Sequence, residues 1–123
     1  LEQIDKTRLP YNIGTLNQLT GEFALQHKSV FDEQARNIRE ARGELDARLR
    51  ELEQLTVYTS EANFILFSVP DGRADAIYSG LREAGVLIKN LNGSSNALQD
   101  CLRVTVGLPD ENTAFLDALA GLL

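Results

Sequence analysis

The sequence predicts an α/β fold of the α+β sandwich kind: a small mixed sheet of about three or four strands, with one long helix and two shorter helices packed on it. Three observations lead there. A charged stretch from Val30 to about Glu53 repeats its apolar residues at three- and four-residue steps. Short, strongly apolar runs follow at 62–69, 86–89 and 102–106, each bounded by turn residues such as Pro70-Asp71-Gly72, Gly85 and Gly107. A helical stretch between the first two runs suggests helices stacked on one small sheet. No repeat of solenoid period is present.

The elements are read in order as follows. Pro10 breaks any helix before it, and Asn12 is placed to cap the next. Leu16, Leu19, Phe23 and Leu25 mark a short helix ending near His27. Lys28-Ser29 reads as a boundary, with Ser29 and Asp32 resembling a capping box. The long helix then shows an apolar stripe of Phe31, Ala35, Ile38, Leu45, Leu49 and Leu52, with mixed charges elsewhere. Glu44–Arg48 and Asp46–Arg50 are correctly oriented helical ion pairs, each worth about 0.2–0.5 kcal/mol. Leu55 to Tyr58 is a short strand. Ala62 to Val69 is a better one, apolar enough to expect burial on both faces. Arg73 to Ala84 is a helix with Gly85 as its left-handed C-cap. Val86-Leu87-Ile88-Lys89 reads as a buried strand, 90–99 as a polar loop, and Leu102 to Val106 as the last strand. Pro109-Asp110-Glu111 opens a terminal helix, with proline at its first position and acids in its first turn.

Composition narrows the function classes. The 123 residues are 43% hydrophobic and 24% charged, as in ordinary globular domains. A net charge of −6 argues against a nucleic-acid partner. No apolar run approaches the ~20 residues of a membrane span, and no signal peptide is expected. A cytoplasmic location is expected. The chain has no methionine and begins at Leu1, which reads as a processed product or a piece of something longer. One cysteine, Cys101, forms no internal disulfide, and its apolar setting makes it a small hydrophobe rather than a reactive thiol. His27 suits a helix C-terminus better than a metal site, which needs three or four ligands.

No phosphate-binding loop, dinucleotide fingerprint, zinc-protease helix or nucleophile elbow occurs, and no catalytic residue is assigned. Three residues stand out as candidates. Arg103 lies in an apolar strand, where a guanidinium needs an acid, a water or a ligand anion. Lys89 ends the Val86-Leu87-Ile88 run and is equally explained as a snorkelling lysine. Asn63 precedes a strand, where backbone capping is the default.

Four segments then stand in order: Leu9-Pro10-Tyr11-Asn12-Ile13; Ser60-Glu61-Ala62-Asn63-Phe64-Ile65-Leu66; Gly85-Val86-Leu87-Ile88-Lys89; and Cys101-Leu102-Arg103-Val104-Thr105-Val106-Gly107, with Glu111-Asn112. Together they resemble the C-terminal part of a histidinol-phosphate aminotransferase, within the fold-type I aminotransferases that use pyridoxal phosphate. The resemblance implies an aminotransferase small-domain fold, with 1–28 as the end of the large domain and its hinge helix and 29–123 as the small domain. It implies that Arg103 grips the carboxylate or phosphate of the substrate. Lys89 stands where the family often has arginine, keeping the charge without the fork. Asn63 joins them as a substrate-side residue. The family's Schiff-base lysine lies in a Ser-x-x-Lys segment upstream of Pro-Tyr-Asn, and no such segment occurs here. The resemblance therefore implies pyridoxal phosphate, glutamate, histidinol phosphate and a homodimer for a full enzyme, and neither cofactor nor catalysis for this chain alone. Two other readings compete: a stand-alone α+β module that senses amino acids, and an interaction domain using Phe31 to Leu52 as a coiled-coil seam.

Overall fold

The computed structural model describes residues 3, 6, 7 and 13–123. The Leu9–Asn12 segment, and with it the expected cap at Asn12, lies outside the described residues. The chain divides into two compact units, Leu1–Ala35 and Arg36–Leu123.

In the first unit, helix α1 spans Thr15–Gln26 and follows Gly14, whose carbonyl accepts from the Gln18 N–H at 3.1 Å. It ends at His27, whose ring stacks on Phe23 with centroids 4.1 Å apart, while Nδ1 lies 2.9 Å from the Phe23 carbonyl. No residue of α1 is buried, and Leu16, Leu19, Phe23 and Leu25 are exposed. Helix α2, Lys28–Arg50, starts directly after His27. Ser29 therefore lies inside the helix and caps nothing. The Val30 N–H already bonds to the His27 carbonyl at 3.0 Å, and Lys28 pairs with Asp32 one turn on.

The second unit is a two-layer sandwich. Strands β1 (Thr56–Val57), β2 (Phe64–Ser68), β3 (Lys89–Asn90) and β4 (Cys101–Thr105) form one sheet in the order β1-β2-β4-β3. All three pairings are antiparallel, so the expected mixed sheet is corrected. Strands β2 and β3 run the same way, but β4 inserts between them and no parallel pair forms. Helices α3 (Ala74–Glu83) and α4 (Pro109–Ala120) join α2 on one face. The shared core holds Leu45 and Leu49 of α2, Ile77 and Leu81 of α3, Phe115 and Leu119 of α4, and the sheet residues Ile65, Phe67, Leu102 and Val104. Because Leu45 and Leu49 are used there, the coiled-coil seam does not form from them. Of the two helical ion pairs expected, Asp46–Arg50 is present at 2.7 Å, whereas Arg48 reaches Asp117 of α4 at 4.0 Å instead of Glu44.

Local sequence explains most element ends. The Pro70–Arg73 turn closes at 3.0 Å, with Gly72 at φ +74°. Gly85, at φ +82°, ends α3: its N–H bonds to Arg82 and the Val86 N–H to Leu81, the two bonds of a Schellman cap. At α4, the Leu108 N–H donates to Glu111 Oε2 at 2.8 Å, and Gly107 exchanges two bonds with the Asn112 amide. A Cβ on Gly107 would lie 2.6 Å from Glu111 Oε2. The 90–99 segment contains one turn of 3-10 helix, Asn96–Leu98, and its Asn90 and Asn92 amides donate to Asp75 of α3. It ends at Asp100, the only buried polar residue among those described, held at φ +54°.

Two strand expectations fail. Strand β2 is buried on one face only: Ile65 and Phe67 are buried, while Phe64, Leu66 and Ser68 are half-buried. The run 86–88 is not a strand. Pairing with β4 starts only at Lys89, and Leu87 is 77% exposed. The Schellman cap ties Val86 to the end of α3, and the chain reaches the sheet three residues later than its apolar content suggests.

Candidate functional site

Alternation along β4 sends Leu102 and Val104 into the core and Cys101, Arg103 and Thr105 to the opposite face. Register then builds a row across that face. Leu66 of β2 is the Cα partner of Arg103 on one side, and Lys89 of β3 is its partner on the other. Directly opposed residues have Cβ atoms about 5 Å apart, and like charges there repel. No ion pair among the described residues involves Arg103 or Lys89. Arg103 Nε is buried with no hydrogen-bond partner. The guanidinium carbon instead sits 4.7 Å from the centre of the Phe64 ring. Of the partners open to Arg103 in the sequence, the internal acid is thus absent from the described residues. Two adjacent cations with no ion pair among the described residues favour an anion between them.

Asn63 is not brought into this row. It is exposed, one position before β2, and its carbonyl accepts from the Val106 N–H at 2.9 Å, extending the β2–β4 ladder. The side-chain cap expected from its position is not formed: the Asn63 amide makes no hydrogen bond among the described residues. The corner around it is fixed from α2, where Arg42 donates through Nη1 to the Ala62 carbonyl at 2.9 Å and through Nη2 to Glu61 at 3.0 Å. The Arg42 side chain is only 14% exposed. Sequence reading treated Arg42 as one more charge on a wet helix face; its place at the corner depends on a contact between residues far apart in the chain.

Cys101 is buried on the same face as Arg103. Burial pushes its thiol pKa up, the Asp100 charge adds to that, and a hydrogen bond with Tyr58 works against it. A thiol held neutral is a poor nucleophile. Among the described residues no group of three or more His, Cys, Asp or Glu is placed to hold a metal ion, and no helix is long and apolar enough to cross a membrane.

A groove of about 470 Å³ opens where 85–88 diverge from β4 and where α4 begins. Its only charged lining residue is Glu111, beside the polar Asn112 and Thr105 and otherwise apolar side chains and glycines. A pyridine ring bearing a phosphate needs donors and cations around that phosphate. The groove offers an acid, so it does not fit pyridoxal phosphate.

No protein-family model matches the chain. Individual proteins do. It is 53% identical over 119 residues to histidinol-phosphate aminotransferase 2 of Nitrosococcus oceani, covering 97% of this chain and 33% of that protein. It is 44% identical over 119 residues to the histidinol-phosphate aminotransferase of Chromobacterium violaceum, with the same coverages. Its sequence relatives are histidinol-phosphate aminotransferases. The chain spans about a third of the length of the histidinol-phosphate aminotransferases it matches. The fold agrees. The crystal structure of the histidinol-phosphate aminotransferase from Clostridium acetobutylicum superposes with a TM-score of 0.81 at 22% identity, over 98% of this chain and 36% of that one. L-threonine-O-3-phosphate decarboxylase from Porphyromonas gingivalis gives 0.77 at 21%, over 98% and 37%. At these identities the likeness is one of fold, and that fold serves both an aminotransferase and a decarboxylase.

Proposed function

We propose that the chain is the small-domain part of a histidinol-phosphate aminotransferase, and that its Arg103–Lys89 row binds the anionic groups of the substrates. The observation that carries this reading is the pairing of two cations across β3 and β4, neither of them in an ion pair among the described residues. Glutamate offers carboxylates and histidinol phosphate a phosphate. The planar fork of Arg103 matches either one bidentately, and Lys89 adds a point charge on the phosphate side. Asn63, exposed at the end of the ladder, is the third substrate-side residue.

In this reading residues 1–28 belong to the end of the large domain and the hinge, and 29–123 form the small domain. The exposed apolar residues Leu16, Leu19 and Phe23 of α1 rest on the remainder of the polypeptide. The whole protein is a cytoplasmic homodimer of histidine biosynthesis. Pyridoxal phosphate supplies it with an electron sink and is held by residues outside this chain. This chain contributes substrate anion binding and is inactive alone.

The test begins with the coding sequence upstream of Leu1, where a Ser-x-x-Lys segment is expected before the Pro10-Tyr11-Asn12 segment. The full-length product should transfer the amino group of glutamate to imidazole-acetol phosphate. A start codon at Leu1, or an unrelated upstream domain, would sink the proposal.

A further inference from the structure

We propose that Phe64 is a positioning residue for the substrate anion: its ring holds the plane of the Arg103 guanidinium and so fixes the direction in which the fork is presented. This rests on the reading of Arg103 as the anion clamp.

Three features of the outer sheet face carry the inference. The first is how Arg103 is held. An arginine has several rotatable bonds and binds an anion well only when its fork is already oriented. Acids usually supply that orientation, but an acid also neutralises the cation and occupies its donors. Arg103 has no acid among the described residues, and its Nε is buried without an acceptor. The ring of Phe64, 4.7 Å from the guanidinium carbon, attracts the cation through its π face while leaving the Nη donors free. An aromatic partner is thus the kind that steadies the clamp without competing with its ligand.

The second feature is register. Phe64 faces Thr105 and Leu66 faces Arg103, so Phe64 and Arg103 are diagonal neighbours on one face, within reach of an aromatic ring. The third is that Phe64 is itself fixed. The Ser60 hydroxyl donates to the Phe64 carbonyl and accepts from the Ala62 N–H; the neighbouring Ala62 and Asn63 carbonyls accept from Arg42 and from Val106. Five residues of corner are pinned around one ring.

The test uses the full-length protein that carries this chain, assayed for amino transfer at varied glutamate. Phe64→Leu removes the π face and keeps most of the apolar volume; it should raise KM for glutamate by about five- to thirtyfold. Turnover at saturation and cofactor absorbance should stay as in the parent. Phe64→Tyr and Phe64→Trp restore a ring and should restore KM. Phe64→Met serves if the leucine protein does not fold, with the same expectation. Arg103→Lys is run beside them. A raised KM in Arg103→Lys with an unchanged KM in Phe64→Leu overturns the role of Phe64 and leaves the clamp standing. Leucine, methionine and tyrosine variants that raise KM equally, in step with lost melting temperature, also overturn it, because the ring then acts as packing alone. An unchanged KM in Arg103→Lys and Arg103→Ala removes the clamp itself, and this inference with it.

Discussion

The two faces of the sheet are built from alternate residues of the same strands and behave as different materials. The inner face, Ile65 and Phe67 of β2 with Leu102 and Val104 of β4, is buried against three helices. The outer face carries Phe64, Leu66, Arg103 and Lys89, none of them fully buried. A strand repeats every two residues, so one five-residue segment can serve a core with one parity and hold a charged row with the other. The lesson is that the apolar core and the charged row, the proposed anion site, are separated by phase along the strand rather than by region of the chain.

The sharpest way to break that separation is to injure each face and ask which property fails. Ile65→Ala, on the inner face, should cost about 2–5 kcal/mol of stability in urea unfolding; a loss below about 1 kcal/mol would mean that the inner face does not hold the fold. Arg103→Ala, on the outer face, should raise KM for glutamate about ten- to hundredfold in the full-length protein, as loss of a charged hydrogen-bonding partner does. Its unfolding midpoint should barely move. Lys89→Ala sharpens the contrast because its two effects have opposite signs. It relieves a like-charge neighbour of Arg103, so stability should rise by a few tenths of a kcal/mol, while affinity for the phosphorylated substrate falls. A destabilised Lys89→Ala protein would count against the repulsion argument.

The smallest effect concerns Cys101, which sits on the outer face yet is buried. Its folded pKa lies above the ordinary thiol value, through burial first and the Asp100 charge second. Below the ordinary range of about 8.5 the thiol is neutral in both states and adds no slope. Above it the unfolded chain ionises first, so stability falls as pH rises toward the folded pKa. Unfolding curves compared across that range should show a steeper alkaline loss for the parent than for Cys101→Ala; parallel losses would refute the shift.

Much of this was legible from residues alone, for local reasons. Gly85 announces a left-handed cap, Pro109 with Asp110 and Glu111 a helix start, and the alternation after Cys101 a strand. Each signal acts within a turn or two of chain. Where the reading failed, the deciding contact was distant or lay in how one element hands over to the next. The apolar run 86–88 looks like a buried strand, but pairing depends on where the preceding cap releases the chain, and Leu87 is left exposed. Ser29 looks like a cap, yet α1 and α2 are separated by His27 alone. Arg48 chose Asp117 over its helical neighbour. Arg103 and Lys89 were recognisable as candidates, but their adjacency was not, because register is set by non-local pairing. Phe64 beneath Arg103 was hidden for the same reason; its sequence neighbourhood reads as a strand in a family-like segment, with nothing that names its partner.

Asp100 gives this register its consequence. It enters β4 at φ +54°, buried, with its carboxylate 3.4 Å from the Ala74 N–H and its own N–H bonded to the Asn92 side chain. Its carbonyl accepts from Val69. A slip of one residue at this point would turn Arg103 toward the helices and Leu102 or Val104 toward water. Asp100 therefore acts as a tooth in a ratchet: asparagine, which tolerates the same backbone, should keep the strand engaged, and a β-branched residue should let it skip.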